Sequence, residues 1–300
     1  MSGTWPSRVV GCPRCGGALV LPDAEAASSS LVRCAKCGPY PCLAGVPVLV
    51  SDPFGYCRAL RDSILATLAE HDAADRVAVA VVDAFSRGAR SSEVFADDWT
   101  EHEAAGQSPP RSVKGPSAAS LARLQAESAR HGPGQWIASR VPKGGTVLEI
   151  GCGAGERSVV LAQRAERVLI ADRSLRAVLQ ARRRASGAGG GGEVAGVVLD
   201  AEALALRPRG VDVVVAEHLV DLLDEPRAFF EAVRSALKRG GRLLVTTPDP
   251  SLGTGDDDAL TQVAREMKWR VAQRRDGLPW LRVNSARFVE VYLVQALDLR

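Results

Sequence analysis

The 300-residue chain contains no run of about 18 apolar residues, so nothing in it reads as a membrane-crossing helix, and no membrane partner is expected. Met1 to Val10 hold no apolar stretch of the kind that opens a secretory signal, which sets the expectation of a cytoplasmic protein. A strong excess of one charge is also missing. The formal net charge is +3, too mild for a protein that coats nucleic acid and too mild to exclude a local basic groove. No internal repeat is visible, and neither composition nor period fits collagen or a coiled coil. What is present is ordinary for a globular protein: 46% hydrophobic and 24% charged residues, which excludes disorder of the whole chain. The length allows one or two domains with a sizeable core.

Three regions differ in texture. Residues 1–50 are rich in Cys, Gly and Pro. Residues 51–115 read as helices followed by a polar linker. Leu60, Ile64, Leu65 and Leu68 recur at helical spacing and predict a helix over about Tyr56 to Glu70, with more helix over Val77 to Phe85. Gly88 to Ser117 reads as a long connection. Residues 116–300 open with a helix that includes Leu121 and Leu124, then alternate strand and helix. Strands are expected at Thr146–Ile150, Val168–Ala171, Val194–Leu199, Val211–Val215 and Arg242–Thr247. Ser174 is placed to cap one helix. Pro226 is placed to open another, which carries Phe229, Val233 and Leu237 on one side and ends at Gly240-Gly241. Repeated strand–helix units imply a parallel sheet with helices on both faces. In the tail, Asp276-Gly277 between the strand-like runs Trp269–Arg274 and Phe288–Leu299 predicts an antiparallel pair at the sheet edge.

Seven cysteines, four of them in two C-x-x-C pairs, argue for metal ligation rather than disulfides. Cys12-Pro-Arg-Cys15-Gly16 and Cys34-Ala-Lys-Cys37-Gly38 match a four-thiolate zinc site. Two intervening residues let both sulfurs face one ion, and four protein ligands leave no open position, so such a Zn2+ is structural. The alternatives are redox pairs or fortuitous cysteines. Cys42 and Cys57 lack a paired spacing and read as buried apolar residues, with a spare-ligand role as the alternative for Cys42, which lies close to the knuckle.

The segment Val147-Leu-Glu149-Ile-Gly151-Cys152-Gly153-Ala-Gly155 is a strand running into a glycine turn and a helix, where a ligand can approach the backbone and exposed helix N–H groups. A dinucleotide site wants G-x-G-x-x-G, and here the third position is Glu156. The pattern resembles motif I of the class I S-adenosylmethionine-dependent methyltransferases, with the resemblance spanning about residues 116–300. It implies an α/β fold: a Rossmann-like seven-stranded methyltransferase sheet, here with an N-terminal zinc ribbon and a helical lid region. It also implies that Glu149, Gly151, Cys152, Gly153 and Gly155 surround S-adenosylmethionine, and that Asp172, beside Arg173, grips the ribose. Asp200 and Ala201 would read the adenine, and Glu217 would meet the methionine part. Leu237 to Pro248 resembles the family's late helix end and strand, with Arg239 where proline is usual. Each position has a plainer reading: glycines that only pack, Asp172 as a helix cap, Asp200 as a strand end.

In-line methyl transfer from a sulfonium asks mainly for alignment, and a base is needed only if the acceptor must lose a proton. No catalytic residue is therefore assigned. His218 is a weak candidate, with a polar loop residue as the alternative; the family's Glu-His pair would align with Asp221-Leu222. Glu101-His102-Glu103 lacks the H-E-x-x-H spacing of a second metal site. Neither an Asn/Asp-Pro-Pro-aromatic stretch nor a Pro-Cys pair follows the fourth strand, which disfavours two routes of base methylation. The segment Leu31–Val50 is similar to small zinc-ribbon proteins that activate methyltransferases, and to ribbons fused to bacterial rRNA methyltransferases. The leading expectation is an enzyme with a small-molecule acceptor, with Trp99, Trp136 and Trp280 as candidates for lining its pocket and aromatic core packing as their default reading. RNA methylation with the ribbon touching rRNA or tRNA is one alternative. A non-catalytic scaffold docking a protein partner through the ribbon is the other.

Overall fold

The computed structural model describes residues 5–22, 29–87, 116–189, 191–285 and 288–300. Trp99, Glu101-His102-Glu103 and most of the expected 88–117 connection lie outside the described residues.

The N-terminal part supplies β1 (Leu19–Val20), β2 (Ser30–Cys34), β3 (Gly38–Leu43) and β4 (Val46–Leu49), each antiparallel to the next. The helices α1 (Pro53–Ala59), α2 (Arg61–Glu70) and α3 (Arg76–Arg87) follow. One helix was expected over Tyr56 to Glu70, and two are found. Asp52 caps α1 by accepting the Gly55 N–H at 3.0 Å, and the chain leaves helical geometry at Leu60, φ −108° and ψ 16°. The break turns α2 so that Ile64 and Leu68 reach the core. Next come α4 (Pro116–His131) and α5 (Pro133–Ala138), then β5 (Thr146–Ile150), α6 (Glu156–Ala162), β6 (Arg167–Asp172), α7 (Leu175–Gly187), β7 (Glu193–Leu199) and β8 (Val211–Glu217). The chain closes with α8 (Pro226–Ala236), β9 (Leu237–Thr247), α9 (Ala259–Glu266), β10 (Val271–Ser285) and β11 (Phe288–Leu299).

Among the described residues the strands form one mixed sheet, ordered β1-β2-β3-β4-β7-β6-β5-β8-β9-β11-β10. Its last seven strands, β7 through β10 in that order, are the expected methyltransferase-type sheet. Strands β7, β6, β5, β8 and β9 run parallel, and β11 is antiparallel to β9. The central strands are buried at nearly every position, as a sheet covered on both faces requires, and successive side chains enter opposite cores. Val168 and Ile170 join the core under α6 and α7, while Leu169 and Ala171 join the opposite core with Phe229 and Phe230 of α8. The ribbon is continuous with this sheet. Val48 and Leu49 of β4 pair in parallel with Val198 and Leu199 of β7, so the ribbon occupies what would otherwise be a bare sheet edge.

Two local expectations are corrected. Gly240-Gly241 does not end α8. That helix stops at Ala236, and Leu237 already pairs with Val211 in the sheet. The register shift before the Val213–Arg242 pair, with Gly240 at φ +80°, makes Lys238–Gly241 a bulge in β9. Likewise Asp276-Gly277 is not the hairpin turn. It lies inside β10 at a register shift between Arg275 and Leu278, with Gly277 at φ +73°. Strand β10 therefore continues to Ser285. Only Gln295–Leu299 of β11 pair with β9, starting opposite Thr247 at its end. The remainder of the hairpin, Leu278–Ser285 with Phe288–Val294, projects past the carboxyl ends of the parallel strands. Helix α4 braces this arm, with Ser128 Oγ donating to the Pro279 carbonyl at 3.1 Å.

Candidate active site and metal centre

The chain runs outward from β5 through β6 to β7 and then returns to β8 on the other side of β5. Connections leave β5 and β8 in opposite directions, which opens a crevice at their carboxyl ends. Ile150 pairs with Ala216 there, so the Gly151–Gly155 turn and Glu217-His218 lie side by side.

Gly151, Gly153 and Gly155 have φ of +77°, +47° and +80°. At Gly155 a β-carbon would sit 2.4 Å from the Cα of Ala181, so only glycine lets α6 cross α7 this closely. At Gly153 a β-carbon would meet open space, so the backbone there faces room for a ligand. The turn is pinned from below, where the N–H groups of Gly151 and Cys152 donate to the Ala171 carbonyl at 2.9 and 3.2 Å. Cys152 is buried, and burial, followed by the nearby Asp172 and Glu149 charges, raises its thiol well above the ordinary value.

Asp172 ends β6. Its Oδ2 accepts the Gly153 N–H at 3.0 Å and its Oδ1 the Ser174 N–H at 3.0 Å. Burial pushes its carboxyl up, against the pull of those N–H groups. Ser174 caps α7 as expected, accepting from the Ala177 N–H at 3.3 Å. The Arg173 carbonyl accepts from the Tyr56 hydroxyl at 3.1 Å, which ties α1 to this loop. Asp200 directly follows β7 and accepts the Glu202 N–H at 3.1 Å, beside Ala201 at the start of a short 3-10 turn. Glu202 in turn accepts the N–H groups of Asp224 and Glu225, linking the loops after β7 and β8.

Glu149 and Glu217 sit differently from a bare cofactor reading. Glu149 points toward α6, where Ser158 Oγ donates to it at 2.5 Å. Full burial drives its carboxyl up to about 8, a rise that the nearby Glu217 charge adds to and the Ser158 hydroxyl and Arg157 oppose. Glu217 is gripped by Arg157, with Nε at 2.9 Å and Nη2 at 3.3 Å from its two oxygens. Sequence reading did not find Arg157. Its one signal is a cation in the first turn of a helix whose neighbours pack inward. Gly134 of α5 makes room for it, since a β-carbon there would lie 1.8 Å from the guanidinium. Trp136 is buried beneath the Arg140 guanidinium, 4.1 Å from its ring centre, whereas Trp280 lies against His218.

The second site is the cysteine cluster. The sulfurs of Cys12, Cys15, Cys34 and Cys37 all lie within 4.8 Å of one another, and Cys15 and Cys34 are 3.7 Å apart. A tetrahedron with Zn–S bonds of about 2.3 Å has edges of about 3.8 Å, so the donor set fits zinc. Burial opposes ionisation of Cys12, yet the Tyr40 hydroxyl at 3.1 Å and backbone N–H groups bring its thiol down to about 6. Cys37 is pushed up to about 12, first by its hydrogen bond to Cys15. A cation among the four sulfurs removes this competition for protons. Cys42 and Cys57 are fully buried and stand apart from the cluster, with thiols raised by burial to about 11 and about 12.

Residues 148–245 match the family model described as a methyltransferase domain. This segment resembles a methyltransferase domain. It holds β5 to most of β9, the glycine turn, Asp172, Asp200 and Glu217. The ubiquinone biosynthesis O-methyltransferase of Xylella fastidiosa (strain 9a5c) is 30% identical over 124 residues, covering 39% of this chain and 48% of that protein. The chain thus spans about half the length of the curated relative it matches. Among solved structures, an S-adenosylmethionine-dependent methyltransferase from Methanosarcina mazei aligns with a TM-score of 0.46 at 16% identity, over 55% of this chain and 95% of that one. A chain from the complex of the Haloferax volcanii Trm112 methyltransferase activator with a methyltransferase aligns at 0.45 and 17%, over 60% and 94%. The family implies S-adenosylmethionine as cofactor of the methyltransferase domain. No helix among the described residues is long and apolar enough to cross a membrane.

Proposed function

We propose that the protein is an S-adenosylmethionine-dependent methyltransferase acting on a small-molecule acceptor, with oxygen as the acceptor atom, as the name of the Xylella relative suggests. The observation that carries the reading is the Gly151–Gly155 turn. It is tied to the Asp172 carboxylate, opens onto free space at Gly153, and lies in the crevice between β5 and β8.

The residues present fit the cofactor. Asp172 spends one acceptor site of each oxygen on the backbone, and the remaining lone pairs suit two neighbouring ribose hydroxyls. Gly151, Cys152, Gly153 and Gly155 supply backbone rather than side chains. Asp200 and Ala201 stand at the end of β7 for the adenine, and Arg173 and Glu217 complete the surround, whereas Glu149 supports the turn from the core through Ser158. Because Arg157 already neutralises Glu217, that carboxylate acts as a positioned acceptor rather than a free anion. When bound, S-adenosylmethionine supplies an electrophilic methyl group whose sulfur is a good leaving group. The chain's work is to align the acceptor behind that methyl and to exclude water, and the β10–β11 arm beside the crevice suits that task.

The ribbon serves this fold in cis. Its β4 covers β7, the strand that leads into Asp200, so the zinc site holds one edge of the cofactor crevice. Support for RNA contact is confined to the slightly basic ribbon sequence.

The test is calorimetry of the metal-loaded protein with S-adenosylhomocysteine. Wild type releases heat of binding, and Asp172→Asn weakens binding by about tenfold or more, the loss of one charged hydrogen-bond acceptor. No heat with S-adenosylhomocysteine, together with tight binding of NADH, refutes the reading.

A further inference from the structure

Away from the crevice, a cleft of about 380 Å3 opens where three parts of the chain meet. The ribbon contributes Ala44, in the turn between β3 and β4. The loop between α2 and α3 contributes His71, Asp72 and Asp75, and α7 contributes Arg182 and Arg183. Helix α7 carries four arginines and no acidic residue. Two of them are engaged elsewhere: Arg176 pairs with Glu70 at 2.9 Å, and Arg184 donates to the Ala154 carbonyl at 2.7 Å. Arg182 donates to the Ala44 carbonyl at 2.7 Å, which ties the ribbon to α7. Gly196 of β7 makes room for this, since a β-carbon there would lie 2.6 Å from Val178 and 3.6 Å from the Arg182 stem. Neither Arg182 nor Arg183 forms an ion pair among the described residues. Burial works against the Arg182 charge, opposed only by Cys42, whose own thiol is raised to about 11 and so stays neutral. A cation drawn out of water without a counter-ion is costly, and an anion in the cleft would relieve that cost.

The other walls narrow the ligand. His71 sits in the field of these arginines: burial and then Arg183 lower its imidazole from the ordinary 6.5, with Arg182 and Arg176 adding to the fall and Glu70 opposing it. A neutral ring offers an N–H donor. Asp75 gives one oxygen to the Ala78 N–H at 2.7 Å, and the Asp72 side chain makes no hydrogen bond among the described residues. The cleft therefore holds donors for an oxyanion together with carboxylate acceptors for hydroxyl groups, in a volume that suits a small metabolite. The two carboxylates and the concave shape disfavour a nucleic-acid backbone, which would press further negative charge against Asp72 and Asp75. We infer that this cleft binds a phosphate monoester of a sugar or polyol, with the phosphate on Arg182, Arg183 and His71 and the hydroxyls on Asp72 and Asp75. The site is separate from the methyl-transfer crevice and does not rest on that reading. A ligand there bridges the ribbon turn and α7, so it stabilises the contact between the ribbon and the large sheet.

The experiment titrates the full, metal-loaded chain by calorimetry at fixed ionic strength with glucose 6-phosphate, inorganic phosphate, glucose and a single-stranded RNA of about ten nucleotides. Glucose 6-phosphate should bind once per chain and raise Tm. Inorganic phosphate should bind about tenfold more weakly, and glucose and the RNA should give no saturable heat. Arg183→Gln, at an exposed position, should weaken glucose 6-phosphate binding by about tenfold and keep the ligand-free Tm of wild type. Asp72 has φ of +55°, which asparagine tolerates, and Asp72→Asn should weaken glucose 6-phosphate by about threefold without weakening inorganic phosphate. The inference is overturned if glucose 6-phosphate gives no heat, if it binds no more tightly than inorganic phosphate or glucose, or if Arg183→Gln binds it as wild type does. RNA binding that is lost in Arg183→Gln would also overturn it, by assigning the arginines to a nucleic acid.

Discussion

Glu149 offers a sharp perturbation, because its alternation in β5 aims a carboxyl into the core under α6. Its folded-state value is about 8 and its ordinary value 4.5, with burial the largest cause. Between these values the folded chain keeps a proton that the unfolded chain has released. Stability from this group is therefore complete below about 4.5 and is lost as pH rises through about 8. At pH 7 the two and a half units already crossed amount to about 3 kcal/mol, at about 1.4 kcal/mol per unit. Glu149→Gln keeps the shape of the protonated acid and an oxygen for the Ser158 hydroxyl, and it cannot ionise. The variant should be more stable than wild type at pH 7 by about 3 kcal/mol, with the difference growing by about 2 kcal/mol from pH 6 to pH 8. Urea unfolding of both metal-loaded proteins across that range measures it. A variant less stable than wild type at every pH, with parallel curves, would refute the reasoning. It would mean that Arg157 holds Glu149 as an anion.

Four further outcomes follow from the same structure. Arg157→Met strands the Glu217 carboxylate, whose side chain is only 17% exposed, and should cost about 3 kcal/mol; Glu217→Gln in the same chain should restore part of it, and a double-mutant cycle in urea reads the coupling. Gly155→Ala, which would drive a methyl onto Ala181, should lose about 3 kcal/mol or more in thermal unfolding. Gly153→Ala meets no atom, so it should lose only about 1–2 kcal/mol from its left-handed backbone while weakening S-adenosylhomocysteine binding far more than it lowers Tm. Metal analysis should find one zinc per chain. Its chelation should expose the four cluster thiols to a thiol reagent and lower Tm, whereas Cys42, Cys57 and Cys152 stay unreactive in the metal-loaded protein.

Features written in neighbouring residues are legible in the amino-acid order alone. The glycine turn after β5, the Ser174 cap, Pro226 at the start of α8 and the two C-x-x-C knuckles each depend on chain geometry over a few residues. The order of strands and helices follows from period and length for the same reason. The corrected elements are those where one local signal serves two structures. Asp-Gly marks a hairpin turn or a bulge, and Gly-Gly marks a helix end or a bulge, and only the partner strand's register decides between them.

The rest belongs to the tertiary structure. Nothing in Val46–Leu49 announces that its partner is β7, nor in Arg157 that it meets Glu217, nor in Trp280 that it covers His218. These contacts join segments far apart in the chain, brought together by the strand order and by the overhang of β10 and β11. The sequence by itself determined the glycine turn and the cysteine knuckles, because their backbone geometry is local. The charge state of Glu149, the pairing of Glu217 and the aromatic wall beside His218 were decided by burial and long-range packing, which act on a side chain only once the sheet has closed around it.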